Sequence, residues 1–323
     1  MKFQQLRYLL EIEKQGLNIS KAASILCTSQ SGISKQIRLL EDELKVGLFE
    51  RNGRKLTALT PIGMKIIVLA TDVMNNMDNI KQAAKDYTDE PKEISIATTH
   101  TQARYVLPAI VERYLSLYPK INLNLQQGTP EQIAVLLEKN EVDIAIATEV
   151  LAGREDLVAL PCYQWSPSVI VKAGHPLAMI NKVALEDIVQ YPIVTYVQGF
   201  TGRYRQDEVF KQNHLQPNIV LSAVDADVIK TYVRLGLGIG IIANMAYSNE
   251  QDKDLCDIKV EHLFGISTSQ VAIKKGRVIK PYIYSFIEML APHLTSKIVK
   301  QAVECKSLEE RRQLFLDIPI FQY

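Results

Sequence analysis

Residues 20–51 constrain this chain more than any other stretch. Two short helix-forming runs flank the polar turn Cys27-Thr28-Ser29, and a basic tip follows the second. The first run, Ser20 to Leu26, carries Ala22 and Ala23, small side chains that let a neighbouring helix cross closely. In the second, Ile33, Ile37, Leu40 and Leu44 recur at gaps of four, three and four, the spacing of a buried helical stripe. Its other face presents Gln30, Ser31, Ser34, Lys35 and Arg38, amides, hydroxyls and cations without a carboxylate. A solvated helical hairpin would also turn charge outward. The small-residue pair, the turn, the acid-free first turns and the basic tip together point instead to a helix that enters a DNA major groove. Its first turn would meet base edges, and Lys35 and Arg38 would reach bases or phosphates.

Charge is distributed accordingly. Residues 1–65 hold 11 Lys or Arg against 6 Asp or Glu, although the whole chain of 323 residues nets only +1. The basic part is the part expected to touch phosphates. From Ile62 to Ala84 the apolar residues Ile62, Ile66, Leu69, Val73, Met77, Ile80 and Ala84 follow gaps of 4, 3, 4, 4, 3 and 4, with no Gly or Pro after Gly63. The spacing predicts one long helix with a narrow seam, suited to pairing with a second copy. Packing on its own domain is the other outcome. A paired DNA reader would meet two half-sites.

A polar break at Asp89-Glu90-Pro91-Lys92 precedes a different regime, in which short apolar strands alternate with helices. Strands are expected at 94–98, 121–126, 142–147, 157–165, 169–172, 193–196, 219–223, 240–243 and 271–274. Helices are expected at 103–117, 130–139, 204–213, 226–235 and 282–290. That alternation reads as α/β with mostly parallel sheet, and the last strand and helix would return to the first of two lobes. The expected organisation is a reading domain at 1–59, a linker helix at 60–89, one lobe at 90–165 and 267–323, and a second at 166–266.

Three polar clusters end strands or open helices: Thr98-Thr99-His100-Thr101-Gln102, Ala147-Thr148-Glu149 and Gly199-Phe200-Thr201-Gly202-Arg203. Hydroxyls, an amide and unpaired N–H groups at a helix start suit an anion, and ligands of open α/β sheets sit at this edge. Helix capping explains each cluster taken singly.

Other chemistries find little support. The five histidines, His100, His175, His214, His262 and His293, are scattered. No Gly-x-Ser-x-Gly, Walker-type or Gly-x-Gly-x-x-Gly motif opens a helix after a strand. Gly236-Leu237-Gly238-Ile239-Gly240 follows a helix and reads as a packed turn, while Asp225 and Asp227 read as helix capping rather than metal ligation. The four cysteines, Cys27, Cys162, Cys256 and Cys305, form no Cys-x-x-Cys pair and suggest neither zinc nor a disulfide framework. With no signal region and no membrane-length apolar run, a soluble cytoplasmic protein with no cofactor and no membrane partner is expected. A periplasmic solute-capture protein would share the two lobes but lack the reading domain. The segment after Cys305, including Glu309-Glu310-Arg311-Arg312, reads as a short charged helix without an assigned role.

Ala22-Ala23, Ser29-Gln30-Ser31, Ser34-Lys35-Gln36-Ile37, Leu40-Glu41, Leu48-Phe49-Glu50-Arg51 and Leu59-Thr60-Pro61-Ile62-Gly63 resemble the DNA-binding domain of LysR-type transcriptional regulators. The resemblance implies a winged helix-turn-helix, a linker helix and a two-lobed domain like that of periplasmic binding proteins. Its wing would use Arg51, Arg54 and Lys55, and Asn52-Gly53 is itself a hairpin signal. One position departs: Lys45 follows Leu44 where the family usually has glycine. A side chain in a left-handed cap costs on the order of 1 kcal/mol, and Gly47 is expected to take over the role.

A narrower resemblance, to the CysB subfamily of sulfur-assimilation and cysteine-biosynthesis regulators, rests on residues 98–105, 127–130, 160–165, 199–203, 225–232 and 291–295. It implies an activator that pairs as a homodimer, and further as a homotetramer, on double-stranded promoter DNA. A small anionic effector (sulfate, thiosulfate, O-acetylserine or N-acetylserine) would bind between the lobes. The ligand residues would be Thr99, Thr101, Gln102, Thr148 and Thr201, with Trp165 as a wall. A paralogous regulator of sulfonate or alkanesulfonate utilisation, with a different effector, is the close alternative.

Overall fold

The computed structural model describes residues 1–323 other than Arg54, residues 88–91, Thr201 and Lys306. Arg54, Thr201 and nearly all of the expected polar break at residues 89–92 therefore lie outside the described residues. The chain forms two compact units, Met1–Glu90 with Gly276–Val278, and Pro91–Lys275 with Ile279–Tyr323.

The first unit contains α1 (Phe3–Lys14), α2 (Ile19–Ile25), α3 (Gln30–Leu44), the antiparallel hairpin β1 (Phe49–Asn52) and β2 (Lys55–Leu59), and α4 (Pro61–Tyr87). It is a winged helix-turn-helix. Asn18 rather than Ser20 opens α2, accepting from the Lys21 N–H at 3.0 Å, and Ser29 opens α3, accepting from the Gly32 N–H at 3.0 Å. Ala22 and Ala23 pack with Ile33, Ile37 and Leu40 against Leu6, Leu9 and Ile12 of α1. Small side chains at the crossing let α2 lie close to α3. The end of α3 corrects an expectation. Lys45 itself adopts the left-handed cap at φ 55, and Gly47 does not. Gly63 is indispensable for another reason: a Cβ there would lie 2.2 Å from the Leu48 carbonyl oxygen.

The seam expected along α4 divides. Ile66 and Val73, with Ile67, Ala70 and Met74, pack on the unit's own core, whereas Ile62, Leu69 and Ile80 are exposed, Leu69 by 63%. The helix passes α1, so the stripe facing α1 is covered within the unit. The remaining apolar face, with Val68 and Met64, is uncovered in one copy.

In the second unit, β3 (Lys92–Thr98), β4 (Ile121–Gln127), β5 (Ile144–Ala147), β6 (Leu157–Trp165) and a late β12 (Ser267–Lys274) form one sheet, in the order β4-β3-β5-β12-β6. The other sheet runs β11-β7-β10-β8-β9, from β7 (Pro167–Lys172), β8 (Ile193–Tyr196), β9 (Ile219–Ala223), β10 (Ile239–Ala243) and β11 (Leu255–Lys259). Each sheet with its helices makes one lobe, and the chain crosses between them at Ser166 and again before β12. The sheets are mixed rather than mostly parallel: four of the eight pairings among described strands are antiparallel. Both crossing segments force this, because β7 and β12 enter their sheets against the βαβ direction.

The helix expected at 103–117 is two, α5 (His100–Tyr105) and Leu107–Leu117. Pro108 has no N–H for the Arg104 carbonyl, and its ring crowds the preceding turn. The glycine-rich segment is a packed turn, since a Cβ on Gly238 would sit 2.1 Å from the Pro192 carbonyl oxygen. The late charged helix, Leu308–Phe315, is docked rather than solvated. Arg311 is buried, donating to the carbonyls of Leu157 (3.2 Å) and Ala302 (3.3 Å), and Phe315 joins the first lobe's core. No helix among the described residues is long and apolar enough to cross a membrane.

Candidate functional site

On α3 the apolar stripe points in and the polar face points out. Gln30, Ser31, Lys35 and Arg38 are exposed, and Ser34 is half-buried. Gln30 accepts from the Ser20 hydroxyl at 3.2 Å, and Ser31 and Ser29 share a hydroxyl contact of 3.2 Å, which steadies the helix start. The first carboxylate on the helix, Glu41, works internally. One of its oxygens accepts from the backbone N–H groups of Leu48 (2.9 Å) and Phe49 (3.3 Å), and the other pairs with Arg51 at 2.7 Å. Arg51 is therefore held by an internal partner, while Lys55 is exposed. The hairpin turn places Gly53 at φ 62 as the first of two residues between Asn52 and Lys55. Asn52 pairs with Lys55 across the hairpin, and Gly53 supplies the positive φ that its turn needs.

Between the lobes lies a cavity lined by Thr99, His100, Thr101, Gln102 and Thr148 from the first lobe. Trp165, at the end of β6, forms part of its wall. Tyr196, Phe200, Val224, Ala243 and Met245 complete the lining from the second. Thr148 follows β5, Tyr196 ends β8 and Ala243 ends β10, so the carboxyl ends of strands converge here. Thr99 is buried and makes no side-chain capping bond to α5. Gln102 is fixed in place: its carbonyl accepts from the Thr98 hydroxyl at 2.8 Å, and its amide donates to the Ser269 hydroxyl at 3.1 Å. Tyr196, from the opposite lobe, lines the same cavity as Thr101 and accepts from the Ala243 N–H at 3.3 Å. Burial pushes the Tyr196 hydroxyl above its ordinary range, although Thr101 and the Ala243 N–H beside it oppose this. The cavity thus has a floor of neutral hydroxyls and a largely apolar opposite wall. Sequence patterns did not single out Tyr196, Val224, Ala243 or Met245, although each lies at or just beyond the end of a strand.

A second cross-lobe contact lies one helix turn from the cavity. Tyr105, at the end of α5, donates to Asp227 at 2.6 Å, and Arg104 lies 3.4 Å from the same carboxylate. Asp227 opens the helix Ala226–Arg234 of the second lobe and also pairs with Lys230 at 3.4 Å. Burial would raise the Asp227 carboxyl, but the Tyr105 hydroxyl, Lys230 and Arg104 outweigh it and hold the group below its ordinary value. Lys230 in turn meets Asp252 at 3.1 Å, both side chains almost fully buried. Asp225 caps the same helix, accepting from the Val228 N–H at 2.8 Å. One ligand atom each of His100, Asp225 and Asp227 lies within 4.8 Å of the others. Capping and the internal ion pairs already occupy both carboxylates.

Known proteins share these parts. Residues 3–64 match the family described as bacterial regulatory helix-turn-helix protein, lysR family, and residues 88–295 match the LysR substrate binding domain. The chain is 46% identical over 322 residues to the HTH-type transcriptional regulator CysB of Haemophilus influenzae, covering 99% of both. It is 45% identical over 295 residues to the HTH-type transcriptional regulator SsuR of Burkholderia cenocepacia, covering 91% of this chain and 96% of that one. Among solved structures, the cofactor-binding domain of the Cbl transcriptional regulator superposes with a TM-score of 0.63 at 42% identity, covering 68% of this chain and 96% of that domain. Full-length BenM shares the fold at a TM-score of 0.55 and 23% identity, over 90% of this chain and 95% of its own. The chain belongs to the LysR family and is a DNA-binding transcriptional regulator, not an enzyme.

Proposed function

We propose that this regulator controls genes of sulfur assimilation and cysteine biosynthesis in the cytoplasm, switched by a small anionic effector in the inter-lobe cavity. The observation that carries this reading is the cavity floor: Thr99, Thr101, Gln102 and Thr148 meet in one volume, with Trp165 as a wall. Hydroxyl and amide groups hold an oxyanion or carboxylate without a fixed counter-charge, so release stays easy. Because α5 is only six residues long, its dipole contributes less than a fifteen-residue helix would, and the side-chain donors carry the recognition. Sulfate, thiosulfate, O-acetylserine and N-acetylserine are the effectors this chemistry suits. Thr201 belongs to the proposed set through the resemblance of residues 199–203.

On the DNA side, Gln30, Ser31 and Ser34 read base edges in duplex promoter DNA, while Lys35, Arg38, Lys55 and Arg54 contact bases or phosphates. Arg51 joins them only where its bond to Glu41 leaves a donor free. The exposed face of α4 pairs two copies, and dimers assemble into tetramers. The effector prefers one lobe arrangement and so changes how paired subunits sit on DNA.

A sulfonate-utilisation regulator is the second reading. Its support is that identity to SsuR, 45%, equals identity to CysB, 46%, within one percentage point. Titrating the four effectors and an alkanesulfonate against thermal stability separates them. The primary reading expects a shift with sulfate or an acetylserine that Thr101→Ala abolishes. A shift with the alkanesulfonate alone would transfer support to the second reading.

A further inference from the structure

His100 stands apart from the other residues of the cavity floor. It is the first residue of α5, it lines the cavity, and its Nδ1 is buried with no hydrogen-bond partner. Buried polar atoms without partners are uncommon, because each has lost its water and gained nothing in return. Among the described lining residues, His100 is also the only one with an imidazole, a ring that can accept a proton. The threonines and Gln102 do not titrate, and burial keeps the Tyr196 hydroxyl neutral.

Two carboxylates stand close to this ring. Asp225 and Asp227, from the opposite lobe, each place a carboxylate oxygen within 4.8 Å of a His100 ring nitrogen. The cations facing the same group are already paired. Arg104, on α5, and Lys230, on the helix Ala226–Arg234, both lie 3.4 Å from Asp227. Tyr105 donates to Asp227 and stays protonated, because burial and that bond raise it. Neither positive side chain is committed to the cavity itself. An anion entering the cavity adds a third negative group around the imidazole.

We infer that His100 takes up a proton when the anionic effector binds, and that the resulting imidazolium is a specificity-determining group lying between effector and carboxylates. This rests on the cavity being the effector site. The proton comes from solvent and forms one new N–H bond, so that both ring nitrogens become donors. No other bond changes. Neutral molecules of the same shape gain nothing from this step, so the cavity selects anions although its floor is uncharged. The two carboxylates also come from the second lobe, so the charged ring draws the lobes together in the bound arrangement.

The test uses the full-length protein with inorganic sulfate and, separately, N-acetylserine, both of fixed charge from about pH 6 to about pH 8.5, the range that spans an ordinary imidazole. Affinity is measured calorimetrically across that range, and proton uptake is read from two buffers of different ionisation enthalpy. Wild type should lose affinity as pH rises, by up to about tenfold per pH unit for one proton, with net uptake of a proton at the upper end. His100→Gln should bind more weakly at the acid end and show neither the slope nor the uptake. A flat wild-type profile, or an unchanged slope in His100→Gln, would overturn the inference and leave the effector site standing. Thr101→Ala separates the two ideas: ligand heats in wild type that this variant leaves untouched would refute the site itself. Proton uptake in wild type is informative without any variant, so a misfolded substitution would not decide the matter.

Discussion

Glu41 is the residue on which wing and reading helix depend together, and replacing it should have a graded effect. Its side chain is 13% exposed and satisfies three donors, the N–H groups of Leu48 and Phe49 and the Arg51 guanidinium. Leu48 and Phe49 are both buried, so their N–H groups have little access to water once the carboxylate is gone. Orphaning a buried N–H costs about 1–3 kcal/mol, so Glu41→Ala, which orphans two, should destabilise the first unit by about 2–6 kcal/mol. Glu41→Gln keeps one carbonyl acceptor for both N–H groups and loses the charge, for a cost of about 1 kcal/mol. Arg51→Met removes only a partly exposed ion pair, about 0–1 kcal/mol. Calorimetry of the full chain should therefore rank Ala far below Gln and Met in the melting of the reading domain. Salt-dependent promoter gel shifts should follow the same order, since an unpinned hairpin no longer presents Lys55 in register. Equal melting of Glu41→Ala and Arg51→Met would refute the reasoning. The ion pair, and not the two backbone acceptors, would then be the clamp.

Three further outcomes follow from the same geometry. Lys45 sits at φ 55 with an exposed side chain. Glycine there relieves strain but frees the unfolded chain by about 0.4–1 kcal/mol, so Lys45→Gly should change stability by less than about 0.5 kcal/mol. Lys45→Val, β-branched in a left-handed cap, should cost more than about 1 kcal/mol in denaturant titration. The Asp252 carboxyl is raised by burial but lowered more by the Ser248 N–H, Arg234 and Lys230, ending below the ordinary 3.8. A depressed carboxyl stabilises fully above its unfolded value and loses that contribution as pH falls through the folded one. Asp252→Asn should therefore cost about 3 kcal/mol at neutral pH and flatten the acid limb of stability below about pH 4, measured by denaturation against pH. Finally, Tyr105→Phe deletes a cross-lobe bond to a charged group, worth about 1.5–3 kcal/mol. It should weaken effector affinity by roughly tenfold while leaving DNA binding without effector unchanged. An unaltered effector titration would show that the bond does not bear on lobe arrangement.

Local chemistry fixed much of this protein in advance. Apolar periodicity placed α3 and its buried stripe, because a 3.6-residue repeat needs no tertiary knowledge to identify the inward face. Strand-length apolar runs located β6, β8 and β9 to the residue, since their ends coincide with changes of polarity. The threonine cluster at residues 98–101 was legible as polar groups at a strand end. Long-range pairing was not. That Thr101 meets Tyr196, or that Arg104 and Tyr105 reach Asp227 more than a hundred residues away, depends on how two lobes close over a shared cavity. β11 escaped notice because a five-residue edge strand owes its conformation to pairing with β7 more than to its own composition. The division of the α4 seam was hidden too: the seam residues look alike in sequence, and only the path of the helix past α1 decides which are covered. Lys45 shows the reverse case. Sequence suggested that glycine at 47 would make the left-handed turn, yet the register of helix end and wing, pinned by Glu41, leaves that turn at Lys45. Residue order along the chain therefore dictated the elements and their buried faces, which are set within a few turns. Contacts across lobes and hairpins determined which polar groups became partners, because burial and distance between remote segments exist only after folding.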